Sequence, residues 1–263
     1  MRFAIINDIH HGREELSKGV NRKLSRYSKE LLIEFIEKMN TEIKPDFLVQ
    51  LGDVVQDANY EEDTKNFKEV VNELKKLNCP VYHLVGNHDY LNIPEKELLT
   101  ILNYKTFWYS CDNDKYHLIF LYSRQRPKNN ITVSDEQVRW FSKDLEETNK
   151  KTLIFVHHSL ADQNIKGNFW FDGRPDHCLV KQREEIRALI ENSGKVIAVF
   201  NAHLHWNNIT VHKCIPYITV QSLVENFNNN EMPSKSFTIV DLNEKYIHVK
   251  VYGNDGMEYK HYF

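Results

Sequence analysis

The chain has 263 residues, of which 41% are hydrophobic and 27% charged, and its formal net charge is −3. This composition is typical of a folded protein with a sizeable core, and the acidic balance argues against binding to nucleic acid through a general basic field. No segment approaches the ~18 apolar residues of a membrane span, the first residues turn polar too early for a signal peptide, and the four cysteines form no CxxC pair. We therefore expect a cytoplasmic protein without membrane contact.

Along the chain, apolar runs alternate with segments of helical spacing. The predicted strands cover residues 3–6, 47–51, 81–85, 117–122, 152–156 and 196–200. The predicted helices cover residues 24–39, 61–77, 134–147 and 181–191, and Ser134 with Gln137 forms a capping-box pattern. From residue 215 to residue 263 the pattern predicts short strands. This order favours an α/β protein with mixed sheets, and because no repeat or linker is visible we expect one domain over residues 1–263.

Five predicted strands end in residues that can bind a metal. These are Asp8 and His10, Asp53, Asn87 and His88, His157, and His203 and His205. Each motif alone is a common turn or a structural histidine, but sites in open α/β sheets gather at the carboxyl ends of strands. With His88 set aside, two carboxylates, one amide and four imidazoles suit two divalent ions of the Mn, Fe or Zn type. Such a pair shares a hydroxide nucleophile and suits displacement at phosphorus.

Taken in order, these motifs resemble the calcineurin-like metallophosphoesterases. The family pattern is D-x-H, GD, GNH[DE], a histidine at a strand end, and GHxH. The chain carries it as Asp8-Ile9-His10, Gly52-Asp53, Gly86-Asn87-His88-Asp89, His157-His158 and Ala202-His203-Leu204-His205. The resemblance implies a four-layer α/β/β/α sandwich, in which two mixed β-sheets are flanked by helices.

The resemblance also implies a role for each motif residue. Asp8, His10 and His205 would hold one metal ion. Asn87, His157 and His203 would hold the other, and Asp53 would bridge the two divalent or mixed-valence ions. His88 would face the substrate, steadying charge or protonating the leaving oxygen, while Asp89 orients its imidazole by hydrogen bonding.

The chain departs from the family pattern at several positions. Ala202 replaces the last glycine, and His157 is followed by His158 without a proline, so His158 stays an alternative ligand to His157. The DRG segment of the protein phosphatases is missing, and Gln56 stands where purple acid phosphatases have a tyrosine ligand. The resemblance is therefore to the branch of small phosphodiesterases and phosphomonoesterases.

Candidate substrate contacts lie outside these motifs. In the loop of residues 165–178, Trp170 could stack on a base, and Arg174 or His177 could contact phosphate, although packing onto the core is the plainer interpretation of the loop's aromatic residues. The basic stretch of residues 13–29 is expected to be a solvated surface. For Arg13, which follows His10 closely, a contact with the substrate and a solvated position are equally favoured.

The leading hypothesis is a binuclear metal-dependent phosphoesterase, in which a metal-bridging hydroxide attacks a phosphate ester in line. A phosphodiesterase acting on a small nucleotide-like, phosphorylated substrate is favoured. The alternatives are a phosphomonoesterase, a structure-specific nuclease and a non-catalytic scaffold on the same fold. The acidic balance disfavours the nuclease, and the complete set of ligand positions disfavours the scaffold.

Overall fold

The computed structural model describes residues 1–125 and 130–263. The strands in these ranges are β1 (Arg2–Ile6), β2 (Phe47–Gln50), β3 (Val81–His83), β4 (Tyr109–Asn113), β5 (Tyr116–Leu121), β6 (Arg124–Gln125), β7 (Ile131–Thr132), β8 (Lys151–Val156), β9 (Val196–Asn201), β10 (Asn208–His212), β11 (Ile215–Thr219), β12 (Phe237–Leu242), β13 (Tyr246–Tyr252) and β14 (Met257–Tyr262). The α-helices are α1 (Ser28–Lys38), α2 (Tyr60–Leu74), α3 (Asp89–Asn92), α4 (Glu95–Leu102), α5 (Asp135–Glu147) and α6 (Arg183–Ser193). Shorter helical segments are the 3₁₀ turns Ser25–Tyr27 and Pro175–His177 and the π segment Met39–Ile43.

Twelve of the strands form two six-stranded mixed sheets. The first sheet has the order β14-β13-β12-β1-β2-β3, and the second has the order β10-β11-β9-β8-β5-β4. In the first sheet β1, β2 and β3 run parallel, and β12 pairs antiparallel with β1. In the second sheet β5, β8, β9 and β11 run parallel, with antiparallel strands at both edges.

The two sheets pack face to face, and helices cover their outer faces. In β1, Phe3 and Ile5 belong to the core between the sheets, whereas Ala4 and Ile6 belong to the core under α1 and α2, as the two-residue period of a strand requires. On the other side, α5 and α6 cover the second sheet. The layers follow the order helices, sheet, sheet, helices, so the predicted α/β/β/α sandwich is confirmed.

Local sequence signals explain where the helices begin. The Ser134 side chain accepts a hydrogen bond from the backbone N–H of Gln137 at the start of α5, as the capping pattern predicts. The Gln137 side chain then bonds the backbone N–H and C=O of Tyr122, which ties α5 to the end of β5. Asn59 caps α2 through the N–H of Glu62.

The predicted elements occur with shifted ends. The strand predicted over 81–85 ends at His83, after which the chain enters the loop that carries the Gly-Asn-His-Asp motif. The sequence patterns did not predict β4, β10 or α4. The side chains of β4 and β10 are mostly only partly buried, and α4 is short. Among the helices of residues 1–125 and 130–263, none is long and apolar enough to cross a membrane.

Candidate metal centre

The five strand ends that carry the motifs meet at one place between the sheets. Asp8 and His10 follow β1, Asp53 follows β2, and Asn87 and His88 follow β3, all in the first sheet. The second sheet contributes His157 after β8, and His203 and His205 after β9. The carboxylates and imidazoles among them form overlapping groups of three, and within each group the ligand atoms lie within 4.8 Å of one another. The site is therefore built jointly by the carboxyl ends of parallel strands from both sheets.

Five of these side chains stand on backbone in the left-handed region. The φ angles are positive at Asp8 (45°), His10 (45°), Asp53 (53°), His203 (69°) and His205 (52°). Non-glycine residues avoid this region because Cβ crowds the backbone, and such conformations cluster at functional sites. The turns after β1, β2 and β9 therefore hold an unfavourable backbone that aims these side chains at a common point.

Glycine is required at two of the motif positions. A Cβ at Gly52 would lie 2.6 Å from Nδ1 of His157, and φ at Gly52 is +100°. A Cβ at Gly86 would overlap the carboxylate and the backbone nitrogen of Asp53. Both glycines therefore allow the strand ends to approach each other closely.

The first group of candidate ligands contains Asp8, His10 and His205. Nε2 of His205 lies 3.4 Å from Oδ1 of Asp8 and 3.1 Å from Nε2 of His10. Nδ1 of His205 donates to the carboxylate of Glu225 at 2.7 Å, which leaves the Nε2 lone pair directed at the other two side chains. Two imidazole nitrogens and a carboxylate that converge in this way fit a cation.

The second group contains Asn87, His157 and His203. Nδ1 of His157 bonds the carbonyl of Leu51 at 2.8 Å, and Nε2 of His203 bonds the carbonyl of His177 at 3.0 Å. These backbone bonds fix both rings, so that Nε2 of His157 and Nδ1 of His203 remain available as ligand atoms.

Asp53 lies between the two groups. Its Oδ2 is 3.2 Å from Nε2 of His157 and 3.9 Å from Nε2 of His10. Burial alone would raise the pKa of this carboxyl, but the neighbouring imidazoles hold it well below its usual range. Asp53 is therefore an ionised carboxylate in contact with both groups, as a bridging ligand needs to be.

Several buried ligand atoms lack a hydrogen-bond partner within the described ranges. Three of them are Oδ1 of Asp8, Oδ1 of Asn87 and Nε2 of His157. A buried polar atom left in this state costs free energy, and a bound cation would satisfy all three. The donor set therefore fits two metal ions, although the assignment of individual ligands stays a prediction.

His157 and His158 can be compared directly. Nε2 of His157 contacts the Asp53 carboxylate, whereas Nδ1 of His158 bonds the hydroxyl of Ser123 at 2.8 Å. Both rings are fully buried and both lie beside His203. The contact with Asp53 favours His157 over His158 as the ligand of the second group.

His88 lies at the opening of the site, and its partner differs from the one we expected. Its Nδ1 hydrogen-bonds to the carboxylate of Asp57, and its Nε2 lies 3.0 Å from Nζ of Lys23. The expectation that Asp89 orients this imidazole is wrong. The two carboxylate oxygens of Asp89 accept backbone N–H groups from Asp53, Val54, Val55 and Gly86.

Asp89 instead fixes the loop that carries Asp53. Its carboxylate is fully buried at the first position of α3 and collects four N–H groups from two loops. Burial, reinforced by the charge of Asp53, raises the pKa of Asp89 to about 7. Asp89 does not orient His88 because both of its carboxylate oxygens are engaged by these backbone N–H groups.

The cleft above the candidate ligands has a volume of about 360 Å³. It is lined by His88, Lys18, Lys23, Trp170, Arg174 and His177, together with several candidate ligands. Three of the four predicted substrate contacts therefore lie at the cleft. Arg13 does not line it, because its side chain is 74% exposed and pairs with Glu62 on α2.

The aromatic residues of the loop are engaged with the protein. Phe169 lies beneath the cationic groups of Lys18 and Arg22, at 4.7 and 4.6 Å from the ring centroid. The Trp170 indole N–H donates to Glu225 at 3.2 Å, and the Phe171 ring lies 4.7 Å from the His203 ring. These contacts agree with the interpretation that the aromatics pack the loop onto the core.

Three further residues touch the site although no sequence motif marks them. Asp57 follows the Gly-Asp motif without belonging to it, and Glu225 lies after β11 in a segment with no motif. Lys23 was expected on a solvated surface, but it is 7% exposed. These three charged residues lie near the site only because of the fold, and no periodicity in the sequence marks their positions.

The comparison with protein families agrees with this geometry. The family described as calcineurin-like phosphoesterase matches residues 1–207. The chain therefore belongs to the calcineurin-like phosphoesterase family.

The curated relatives align with only part of this chain. A manganese-dependent ADP-ribose/CDP-alcohol diphosphatase of Arabidopsis thaliana is 36% identical over 106 residues, which cover 38% of this chain and 33% of the relative. A probable cyclic nucleotide phosphodiesterase of Coxiella burnetii is 28% identical over 177 residues, which cover 63% of each chain. The chain thus spans less than two thirds of the length of these curated relatives. A dimetal phosphatase from Danio rerio has the same fold, with a TM-score of 0.77, 17% identity and 98% coverage of both chains.

Proposed function

We propose that this chain is a metal-dependent phosphoric ester hydrolase that binds two metal ions. The observation that carries the proposal is Asp53, an ionised carboxylate in contact with two groups of unsatisfied donors below an open cleft. Asp8, His10 and His205 would hold one ion, and Asn87, His157 and His203 the other. When bound, such ions supply positive charge and activate a water molecule as the nucleophile at neutral pH.

The residues of the chain position the ester and balance its charge. His88 faces the cleft and is held at Nδ1 by Asp57. The imidazole either stabilises charge on the phosphoryl oxygens or protonates the leaving oxygen, and the second role requires that Nε2 carry a proton and no longer accept the hydrogen bond from Lys23. Asp89 keeps Asp53 in place through the backbone of its loop.

Manganese is the first metal to test. The candidate ligands combine oxygen donors from two aspartates and an asparagine with four imidazoles, a mixture that Mn, Fe and Zn accept. Relatives in the family include proteins described as manganese-dependent diphosphatases. The four cysteines of the described chain are unpaired, which agrees with a reducing, cytoplasmic location.

A small nucleotide-like substrate is the proposed class. The relatives are described as an ADP-ribose/CDP-alcohol diphosphatase and a probable cyclic nucleotide phosphodiesterase, and the cleft volume suits a small molecule. A phosphodiester or a diphosphate bond is therefore the favoured target, with a phosphomonoester as the alternative.

The test is a hydrolysis screen with metal-depleted and manganese-loaded protein. The substrates are bis-p-nitrophenyl phosphate, p-nitrophenyl phosphate, ADP-ribose and 3′,5′-cyclic AMP. We expect metal-dependent hydrolysis of at least one diester or diphosphate. Two equivalents of bound metal with no turnover of any ester would support the scaffold, and hydrolysis confined to the monoester would support the phosphomonoesterase.

A further inference from the structure

Lys23 is a buried cation at the wall of the cleft. Only 7% of the surface of Lys23 is exposed, and the residue lines the cleft together with His88, Asp53 and Asn87. The backbone holds it there, because Lys23 forms an antiparallel bridge with Glu225 and the N–H of Leu24 donates to the carbonyl of Val224 at 2.9 Å. The position of the side chain is therefore fixed by a contact between distant parts of the chain.

The neighbouring Arg22 shows what a structural buried cation looks like here. Its guanidinium pairs with the Glu225 carboxylate at 2.7 Å and also donates to Asn229 at 2.8 Å. Its charge is balanced by a buried carboxylate, as expected for a charge that has left water. Arg22 thus has a complete structural explanation.

Lys23 does not have such an explanation. An ammonium group has three N–H donors, and the hydrogen bond formed by Nζ within the described residues goes to Nε2 of His88 at 3.0 Å. No described carboxylate lies within salt-bridge distance of Nζ, and its other neighbour is the Trp170 ring, with the centroid at 5.2 Å. Donors remain unused at the cleft wall, where an anion would complete their hydrogen bonding.

We propose that Lys23 is a substrate-binding residue whose ammonium group donates to a non-bridging phosphate oxygen of the ester held in this cleft. The assignment rests on the proposed function, because it takes the cleft as the phosphate site. A fixed cation in the wall of the cleft that the candidate ligands also line favours phosphate groups with more negative charge. Of the two targets favoured above, Lys23 therefore points to a diphosphate, which carries more negative charge than an isolated phosphodiester.

The experiment measures binding of inorganic phosphate to the manganese-loaded full chain by calorimetry. In Lys23→Met, which keeps an unbranched side chain of similar length but removes its charge, phosphate affinity is expected to fall about tenfold to hundredfold, the effect of one hydrogen bond to a charged group. Metal content per chain, measured by elemental analysis, is expected to equal that of the wild type. Lys29→Met is the matched control, because Lys29 is an exposed lysine that pairs with Glu69.

Lys23 could also affect phosphate binding indirectly, by positioning the imidazole of His88, and a double variant separates this effect from direct contact with the anion. In a His88→Ala background, the Lys23→Met substitution is expected to weaken phosphate binding again by about tenfold, because Lys23 contacts the anion itself. No further loss in that background would assign Lys23 to positioning the imidazole and would overturn the proposal. If Lys23→Met does not fold, Lys23→Gln replaces it with the same expectation.

Different results would overturn the proposed hydrolase function and the assignment of Lys23. If the wild type binds phosphate and the Lys23 variant does not, but no ester is hydrolysed, the proposed function fails while the Lys23 site stands. If esters are hydrolysed and Lys23→Met binds phosphate within twofold of the wild type, only the Lys23 assignment fails. A wild type that binds no phosphate overturns it as well.

Discussion

Nδ1 of His88 is hydrogen-bonded to the carboxylate of Asp57, not to that of the adjacent Asp89. Asp57 follows Asp53 in the same loop, and its backbone has a φ of 25°. A carboxylate on one ring nitrogen fixes the orientation of the ring. The loop after β2 therefore supplies both the proposed bridging ligand and the partner of the proposed catalytic histidine.

Asp57→Asn is expected to lower kcat by about 10–100-fold, the usual effect of losing a partner that orients a functional histidine. Metal content is expected to stay unchanged, because Asp57 is not a candidate ligand. Steady-state kinetics on an ester that the wild type hydrolyses, with parallel metal analysis, gives both values. Asp241→Asn, at an exposed carboxylate paired with Arg2, is the control and should leave kcat unchanged.

His88→Ala is expected to reduce kcat by about 10²–10⁴-fold, the range for a lost general acid or base, with both metal ions retained. The matched control is His248→Ala, since His248 pairs with Glu258 on the surface of β13 and β14. Turnover of His88→Ala at the wild-type rate would remove His88 from the mechanism. Loss of metal in that variant would instead make His88 a ligand.

Glu225→Gln is expected to weaken metal binding by about 10–100-fold. The carboxylate accepts from Nδ1 of His205 and also neutralises Arg22, so the amide weakens the ligand basicity of His205 and leaves a buried guanidinium without its partner. Competition with a fluorescent chelator measures the affinity. Glu244→Gln, at an exposed carboxylate paired with Lys115, is the control, and equal affinities in all three proteins would contradict the role of Glu225.

The sequence predicted an α/β fold with mixed sheets because alternating apolar runs and helical spacing are local signals, whereas the order of the four layers followed from the resemblance to the family. It also predicted which side chains converge, because residues after parallel strands, such as Asp8 and His157, share one edge of a sheet. It could not predict Lys23 or Glu225, since a bridge between distant segments brings them together. It misplaced the partner of His88 because adjacency in sequence does not determine the direction of a side chain at a helix start, as Asp89 shows.

Gly86→Ala is expected to destabilise the protein by about 1–3 kcal/mol, the cost of overpacking a close contact. The added methyl group would overlap the carboxylate and backbone nitrogen of Asp53, so metal affinity is expected to fall as well. Urea unfolding at fixed pH measures the free energy. Gly256→Ala is the control, because the nearest atom to its added Cβ is 3.4 Å away; equal losses in both variants would show that the effect is not steric.

His83 gives a prediction for the pH dependence of stability. The side chain is buried at the end of β3, and burial, followed by the charge of Lys75, lowers its pKa to about 4 from the ordinary value of 6.5. The unfolded chain therefore binds a proton at higher pH than the folded protein does. The stability that neutral His83 contributes is fully present above about pH 6.5 and is lost as the pH falls toward 4.

Relative to His83→Leu, the wild type is expected to lose up to about 3 kcal/mol of unfolding free energy between pH 7.5 and pH 4. Urea unfolding at several pH values, with a chelator present so that acid release of metal does not contribute, measures this difference. His248→Leu, at an exposed histidine of β13, should follow the wild-type curve. Parallel pH curves for the wild type and His83→Leu would mean that His83 titrates alike in the folded and unfolded chains, because only a difference in proton binding between the two states makes stability depend on pH.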